Sequence, residues 1–120
     1  MKPPSPLQAL RSLLFIPATS TALLPKATSR GADALIVDLE DAIPFAQKDG
    51  ARPLAASAIR SLAERGATVL LRLNSEPELW REDLKHQPLE LLAGVMLPKV
   101  ETADQIEALA QALRSAAPRS

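Results

Sequence analysis

Apolar and polar positions alternate with two different rhythms along this chain, and the switches between them outline the elements. Ser12 to Ile16 is a short apolar run stopped by Pro17 and predicts a first strand, buried on both faces. Residues 20–30 are weakly helical, with Leu23, Leu24 and Ala27 on one side, Pro25 near the start and Gly31 as a stop. Ala34 to Leu39 is almost unbroken apolar sequence, as expected for a parallel strand covered on both faces. Ala51, Leu54, Ala55, Ala58, Ile59 and Leu62 follow the i, i+3, i+4, i+7 spacing of a helix stripe. That helix is placed from near Asp49, with Pro53 in its first turns, to Gly66.

Thr68 to Leu73 predicts a third strand, Glu78 to His86 a short helix, and Ala93 to Leu97 a fourth strand closed by Pro98. Thr102 and Gln105 have capping-box spacing ahead of a last helix, whose stripe is Ile106, Leu109, Ala110 and Leu113. Residues 1–10, rich in proline, read as a loose leader, and Ala116 to Ser120 as a loop. The order β-α-β-α-β-α-β-α, with strands recurring every 25–35 residues, implies right-handed βαβ units and a parallel sheet.

Composition narrows the chemistry. Of the 120 residues, 14 are Lys or Arg and 14 are Asp or Glu, so a basic nucleic-acid groove is not expected. There is no Cys, which excludes thiolate metal sites, thiol nucleophiles and disulfides. No apolar stretch approaches the length of a membrane span, and a cytoplasmic location is expected. Neither a G-x-G-x-x-G turn nor a phosphate-binding P-loop is present. The single His86 cannot build a histidine metal cluster and reads as solvated; Trp80 reads as a partly buried packing residue.

Polar groups gather where the strands end: Asp38-Leu39-Glu40-Asp41, Arg72-Leu73-Asn74 and Pro98-Lys99-Val100-Glu101. Strand alternation puts Asp38 and Glu40 on one face, and likewise Arg72 and Asn74. In parallel α/β folds functional groups collect at the C-terminal ends of strands. The pattern fits a mixed-charge pocket; it equally fits ion pairs and caps at strand-to-helix loops.

Four segments in order carry a resemblance: Arg11 to Pro17, Gly31 to Ala42 (with Asp-Leu-Glu-Asp-Ala), Arg72-Leu73-Asn74, and Met96 to Glu101. Together they resemble the citrate lyase β-subunit-like proteins of the HpcH/HpaI aldolase superfamily. Asp41 favours that branch, since the pyruvate-aldolase branch typically carries His there. The resemblance implies a (β/α)8 barrel that cleaves a 3-hydroxy-acid CoA thioester of the citryl-, malyl- or citramalyl-CoA type. The implied reaction is a Mg2+-dependent retro-Claisen step giving acetyl-CoA and an oxo-acid. Arg72 is implied as the group that binds and polarises the substrate carboxylate and carbonyl, with Glu40 near the metal as an acceptor for its bound water. Asp38, Asp41, Asn74, Lys99 and Glu101 are implied as the rest of the substrate-binding rim. No residue of this sequence matches a direct metal ligand; in the family those are a Glu and an Asp on the fifth and sixth strands.

A full barrel of this kind takes about 250 residues. Residues 11–120 are therefore expected to form its N-terminal half, truncated and inactive alone, in need of a C-terminal half or of a second copy. The alternative is a non-catalytic half-barrel that self-associates or binds a partner. Family members are commonly oligomeric, so a homo-oligomer is the implied assembly.

Overall fold

The computed structural model describes residues 12–20, 24–27 and 31–116. The leader, Leu23 and residues 117–120 of the expected terminal loop lie outside these. Eight principal elements follow in strict alternation: β1 (Leu13–Pro17), α1 (Leu24–Ala27), β2 (Ala34–Asp38), α2 (Lys48–Glu64), β3 (Val69–Arg72), α3 (Pro77–Lys85), β4 (Gly94–Met96) and α4 (Ala103–Ala116). Single 3-10 turns at Phe45–Gln47 and Leu89–Leu91 precede α2 and β4. The four strands are all parallel and lie in sequence order, β1-β2-β3-β4. The expected order and sheet type are therefore found.

Local chemistry explains the boundaries. Gly66, at φ +83°, takes the left-handed conformation that ends α2, where a Cβ would be strained. Pro77 starts α3, where its missing N–H costs no hydrogen bond. Gln105 caps α4: its Oε1 accepts from the backbone N–H groups of Thr102 (3.0 Å) and Glu101 (2.6 Å), half of the expected capping box. Ala116 is the last residue of that helix rather than part of a loop.

The strands sort their side chains onto two unlike faces. Leu35, Val37 and Leu39 from β2 and its extension, with Val69, Leu71 and Leu73 around β3, meet Ala55, Ala58, Ile59 and Leu62 of α2. Each fully buried large aliphatic here stabilises by about 1.5–3 kcal/mol. Among the described residues the opposite face holds a small cluster, Ala34, Ile36 and Leu70, with Met96 against it.

Four sequence expectations are corrected. β1 is not buried on both faces: Leu13 and Phe15 are 47% and 42% exposed, because β1 is an edge strand and its alternate residues fall on the face without helices. Leu54 is exposed, while Arg52 and Ala56 are buried; the packed arc of α2 is rotated toward α3. Ile106 is exposed and Leu109 alone is buried on α4, because that helix meets α3 on one side and leaves the rest of its stripe partly open to solvent. Trp80 is fully buried, with the Arg81 guanidinium over its ring at 4.5 Å.

Candidate active site at the strand ends

The polar ends of β2, β3 and β4 meet at the C-terminal edge of the sheet. The parallel register brings them there: Asp38 is paired with Arg72, and Arg72 with Met96, two residues before Pro98. The ladder continues past the strands through Leu39 N–H to Arg72 O (3.0 Å) and Leu73 N–H to Met96 O (2.9 Å).

Arg72 is the centre. Its Nε donates to Asp38 Oδ1 (2.9 Å) and its Nη2 to Asp38 Oδ2 (2.7 Å), a two-point pair. Glu40 Oε1 stands 3.9 Å from Nε and Asp41 Oδ2 4.0 Å from Nη2. The guanidinium carbon lies 4.5 Å from the centroid of the Phe15 ring. One edge of the fork is thus taken by Asp38, and Nη1 has no hydrogen bond among the described residues.

Asp38 does two jobs in one place. Besides Arg72 it accepts from the N–H groups of Glu40 (2.8 Å) and Ala42 (3.2 Å), so the same carboxylate pairs a cation and caps the loop. Burial pushes its pKa up, but the Arg72 hydrogen bonds and charge and the two backbone donors outweigh this and hold it below the usual carboxylate value. The same bonds to Asp38 push the Arg72 pKa up.

Lys99 closes the ring from β4. Its Nζ donates to Glu40 Oε2 (2.8 Å) and lies 3.8 Å from Asp41 Oδ1; the Glu40 contact raises the lysine pKa. The Lys99 backbone is left-handed, φ +58°, a strained setting for a residue with a Cβ. Glu40 is buried, and its Oε1 has no hydrogen-bond donor among the described residues. The mouth therefore offers a guanidinium edge and one free carboxylate oxygen side by side.

Two expected rim residues are not brought into this cluster. Asn74 turns to the helix layer, where its N–H (2.9 Å) and Nδ2 (2.8 Å) both donate to Asp83 Oδ2 of α3. The strand ends at Arg72, so the alternation that would align Asn74 with it no longer applies. Glu101 is exposed, and its backbone N–H belongs to the α4 cap.

Phe15 and Lys48 were not legible as site residues. The register of β1 against β2 could have placed Phe15 next to Asp38's face. Nothing in the sequence marks Lys48, whose Nζ donates to the carbonyls of Leu39 (3.1 Å) and Glu40 (3.0 Å) and pins the β2 loop from the start of α2.

The described residues do not fit Mg2+ as direct ligands. Both Asp38 oxygens are engaged by Arg72 and backbone N–H groups, and Glu40 Oε2 by Lys99. Glu40 Oε1 and the exposed Asp41 carboxylate, whose oxygens face Lys99 at 3.8 Å and Arg72 at 4.0 Å, do not make the near-octahedral oxygen set the ion demands. Among the described residues no group of three or more His, Asp or Glu side chains gathers to hold a metal.

The citrate lyase subunit beta of Leuconostoc mesenteroides is 32% identical over 82% of this chain and 33% of its own length. A (3S)-malyl-CoA thioesterase of Cereibacter sphaeroides is 34% identical over 83% of this chain and 35% of its own. The solved structure of CitE from Mycobacterium tuberculosis in complex with magnesium, acetoacetate and coenzyme A superposes with a TM-score of 0.67 at 32% identity, over 87% of this chain and 38% of that one. The chain thus spans about a third of the curated relatives it matches, and its sheet is the (β/α) portion of a TIM-barrel fold. Residues 11–119 match the HpcH/HpaI aldolase/citrate lyase family, and the chain belongs to that family.

Proposed function

We propose that this segment supplies the oxo-acid end of a site that cleaves a 3-hydroxy-acid CoA thioester, of citryl-, malyl- or citramalyl-CoA type, to acetyl-CoA and an oxo-acid. The observation that carries the reading is Arg72: a guanidinium at the C-terminal edge of a parallel sheet, held by a buried carboxylate along one edge and, among the described residues, unbonded at Nη1. A fixed, permanently charged fork suits a substrate carboxylate and the oxygen on which charge develops during cleavage. Asp38 fixes the orientation of that fork. Glu40 Oε1 is the acceptor offered to a substrate hydroxyl or an ordered water. Lys99 keeps Glu40 in place and adds positive charge at the rim. Asp41, exposed beside both cations, shapes the entrance.

Magnesium is part of the reading only by kinship. Direct ligands would come from outside the described residues, so the 120-residue chain alone is proposed to be inactive. The test is acetyl-CoA release from citryl-, malyl- and citramalyl-CoA by a protein carrying this segment with a complete barrel. Arg72→Lys is expected to lower kcat/KM by about 100-fold, since a lysine cannot replace a two-point contact. Turnover unaffected by Arg72→Lys would refute the assigned role.

A second reading, assembly without catalysis, is favoured by one feature. Both edge strands, Leu13–Pro17 and Gly94–Met96, lack any charged residue, and Leu13 and Phe15 of the first are exposed. Natural sheets usually protect free edges with charge. Light scattering on the purified chain separates the readings: a defined oligomer without affinity for an oxo-acid supports assembly alone.

A further inference from the structure

The strand end that carries Arg72 is gripped from behind by a buried polar network facing away from the mouth. Asp83 of α3 is fully buried; Asn74 and Arg52 are nearly so. Asp83 Oδ2 accepts both the N–H and the Nδ2 of Asn74, while its Oδ1 accepts Arg52 Nε (2.9 Å) from α2. Gln87, after α3, donates through Nε2 to the Arg52 backbone carbonyl (3.0 Å). One carboxylate therefore ties the β3 end to two helices.

This arrangement is expensive unless it fixes something. A buried carboxylate must recover its hydration from its partners, and an apolar set of similar volume would satisfy the same space. Its grip falls two residues beyond Arg72, where the sheet ladder runs out and the chain would otherwise be free to turn. The β2 end is held from the same side by Lys48, through the carbonyls of Leu39 and Glu40. Two of the three strands whose polar ends meet at the mouth, β2 and β3, thus have an anchor in the helix layer, behind the register pair Asp38 and Arg72.

We infer that Asp83, through Asn74, is a positioning residue for Arg72, and that Asn74 serves the site from behind rather than as a substrate ligand. The inference concerns the geometry of Arg72 and holds whatever substrate the mouth takes.

The test reads Arg72 directly, by water exchange of its Nε–Hε proton in 15N NMR of the full 120-residue chain. Asp83→Asn keeps the shape of the side chain but removes the charge that Arg52 Nε meets, while Arg52 Nη1 keeps its bond to Asp49. Exchange at Arg72 is expected to rise about tenfold, the worth of one such buried hydrogen bond, while the amides of Ile59 and Leu62 in α2 stay protected. Asn74→Ala removes the amide arm alone, and a smaller rise in the same signal is expected; it serves as the readout if Asp83→Asn does not fold. Lys85→Ala, which breaks an exposed pair with Glu82 on the same helix, is expected to leave Arg72 unchanged. The inference is overturned if a folded Asp83→Asn or Asn74→Ala leaves Arg72 exchange at the wild-type rate, or if Lys85→Ala raises it equally.

Discussion

The two faces of the one sheet make the most instructive contrast in this molecule. The same strands supply both, residue by residue in alternation, yet the faces solve different problems. Toward the helices, Leu35, Val37, Leu39, Leu71 and Leu73 are buried in a continuous core with Ile59, Leu62 and Trp80. Toward the open side, a small apolar patch at Ala34, Ile36 and Leu70 gives way to Asp38, Arg72, Glu40 and Lys99 at one end and to exposed Leu13 and Phe15 at the edge. One face supplies stability within this segment; the other holds charges in fixed places, at some cost in desolvation and backbone strain.

Among apolar positions, that contrast puts the larger loss on the helix side. Leu71→Ala is expected to cost about 3 kcal/mol in urea unfolding, as a fully buried leucine that leaves a cavity, whereas Leu13→Ala on the open face should cost less than about 1 kcal/mol. Equal losses would break the comparison. Next comes the polar pair: Arg72→Ala leaves Asp38 buried without its cation and should cost about 3 kcal/mol, with the Asp38→Ala, Arg72→Ala double variant costing clearly less than the sum of the two single ones.

The pair also has a pH signature. The folded-state pKa of Asp38 is lowered, so its ionised form stabilises the fold fully above its unfolded value of about 4. That contribution is lost as pH falls through the lowered folded value. The stability gap between wild type and Asp38→Asn should therefore be constant near neutrality and shrink in acid below about pH 4. A gap that widened in acid would reverse the assigned sign. The smallest effect is in the backbone: Lys99→Gly, freed from the left-handed strain, should melt about 5 °C above Lys99→Ala, although both lose the contact to Glu40.

Much of this was legible in the sequence because periodicity reports burial directly. The unbroken run at Ala34 to Leu39 marked β2, one of the two inner strands, and the polar ends of three strands marked the edge where Asp38, Glu40, Arg72 and Lys99 meet. The failures share a cause. Leu13, Phe15, Leu54 and Ile106 are apolar residues whose burial depends on what covers an edge or a helix flank, and residue type does not carry that information. Asn74 was misplaced because strand alternation was extended past the end of the strand, where Asp83 decides the direction. Lys48 and Asp83 act on backbone groups 8 or 9 residues away, and no motif announces such contacts.

The most direct test of the account is a 15N NMR titration of the 120-residue chain with oxaloacetate, the oxo-acid half of citryl-CoA, following the Arg72 Nε–Hε signal. The account predicts a saturable shift of Arg72 together with the backbone amides of Glu40 and Lys99, absent in Asp38→Ala, where the fork has lost its holder. Saturation elsewhere on the surface with Arg72 unmoved, or no response at millimolar ligand, would contradict it.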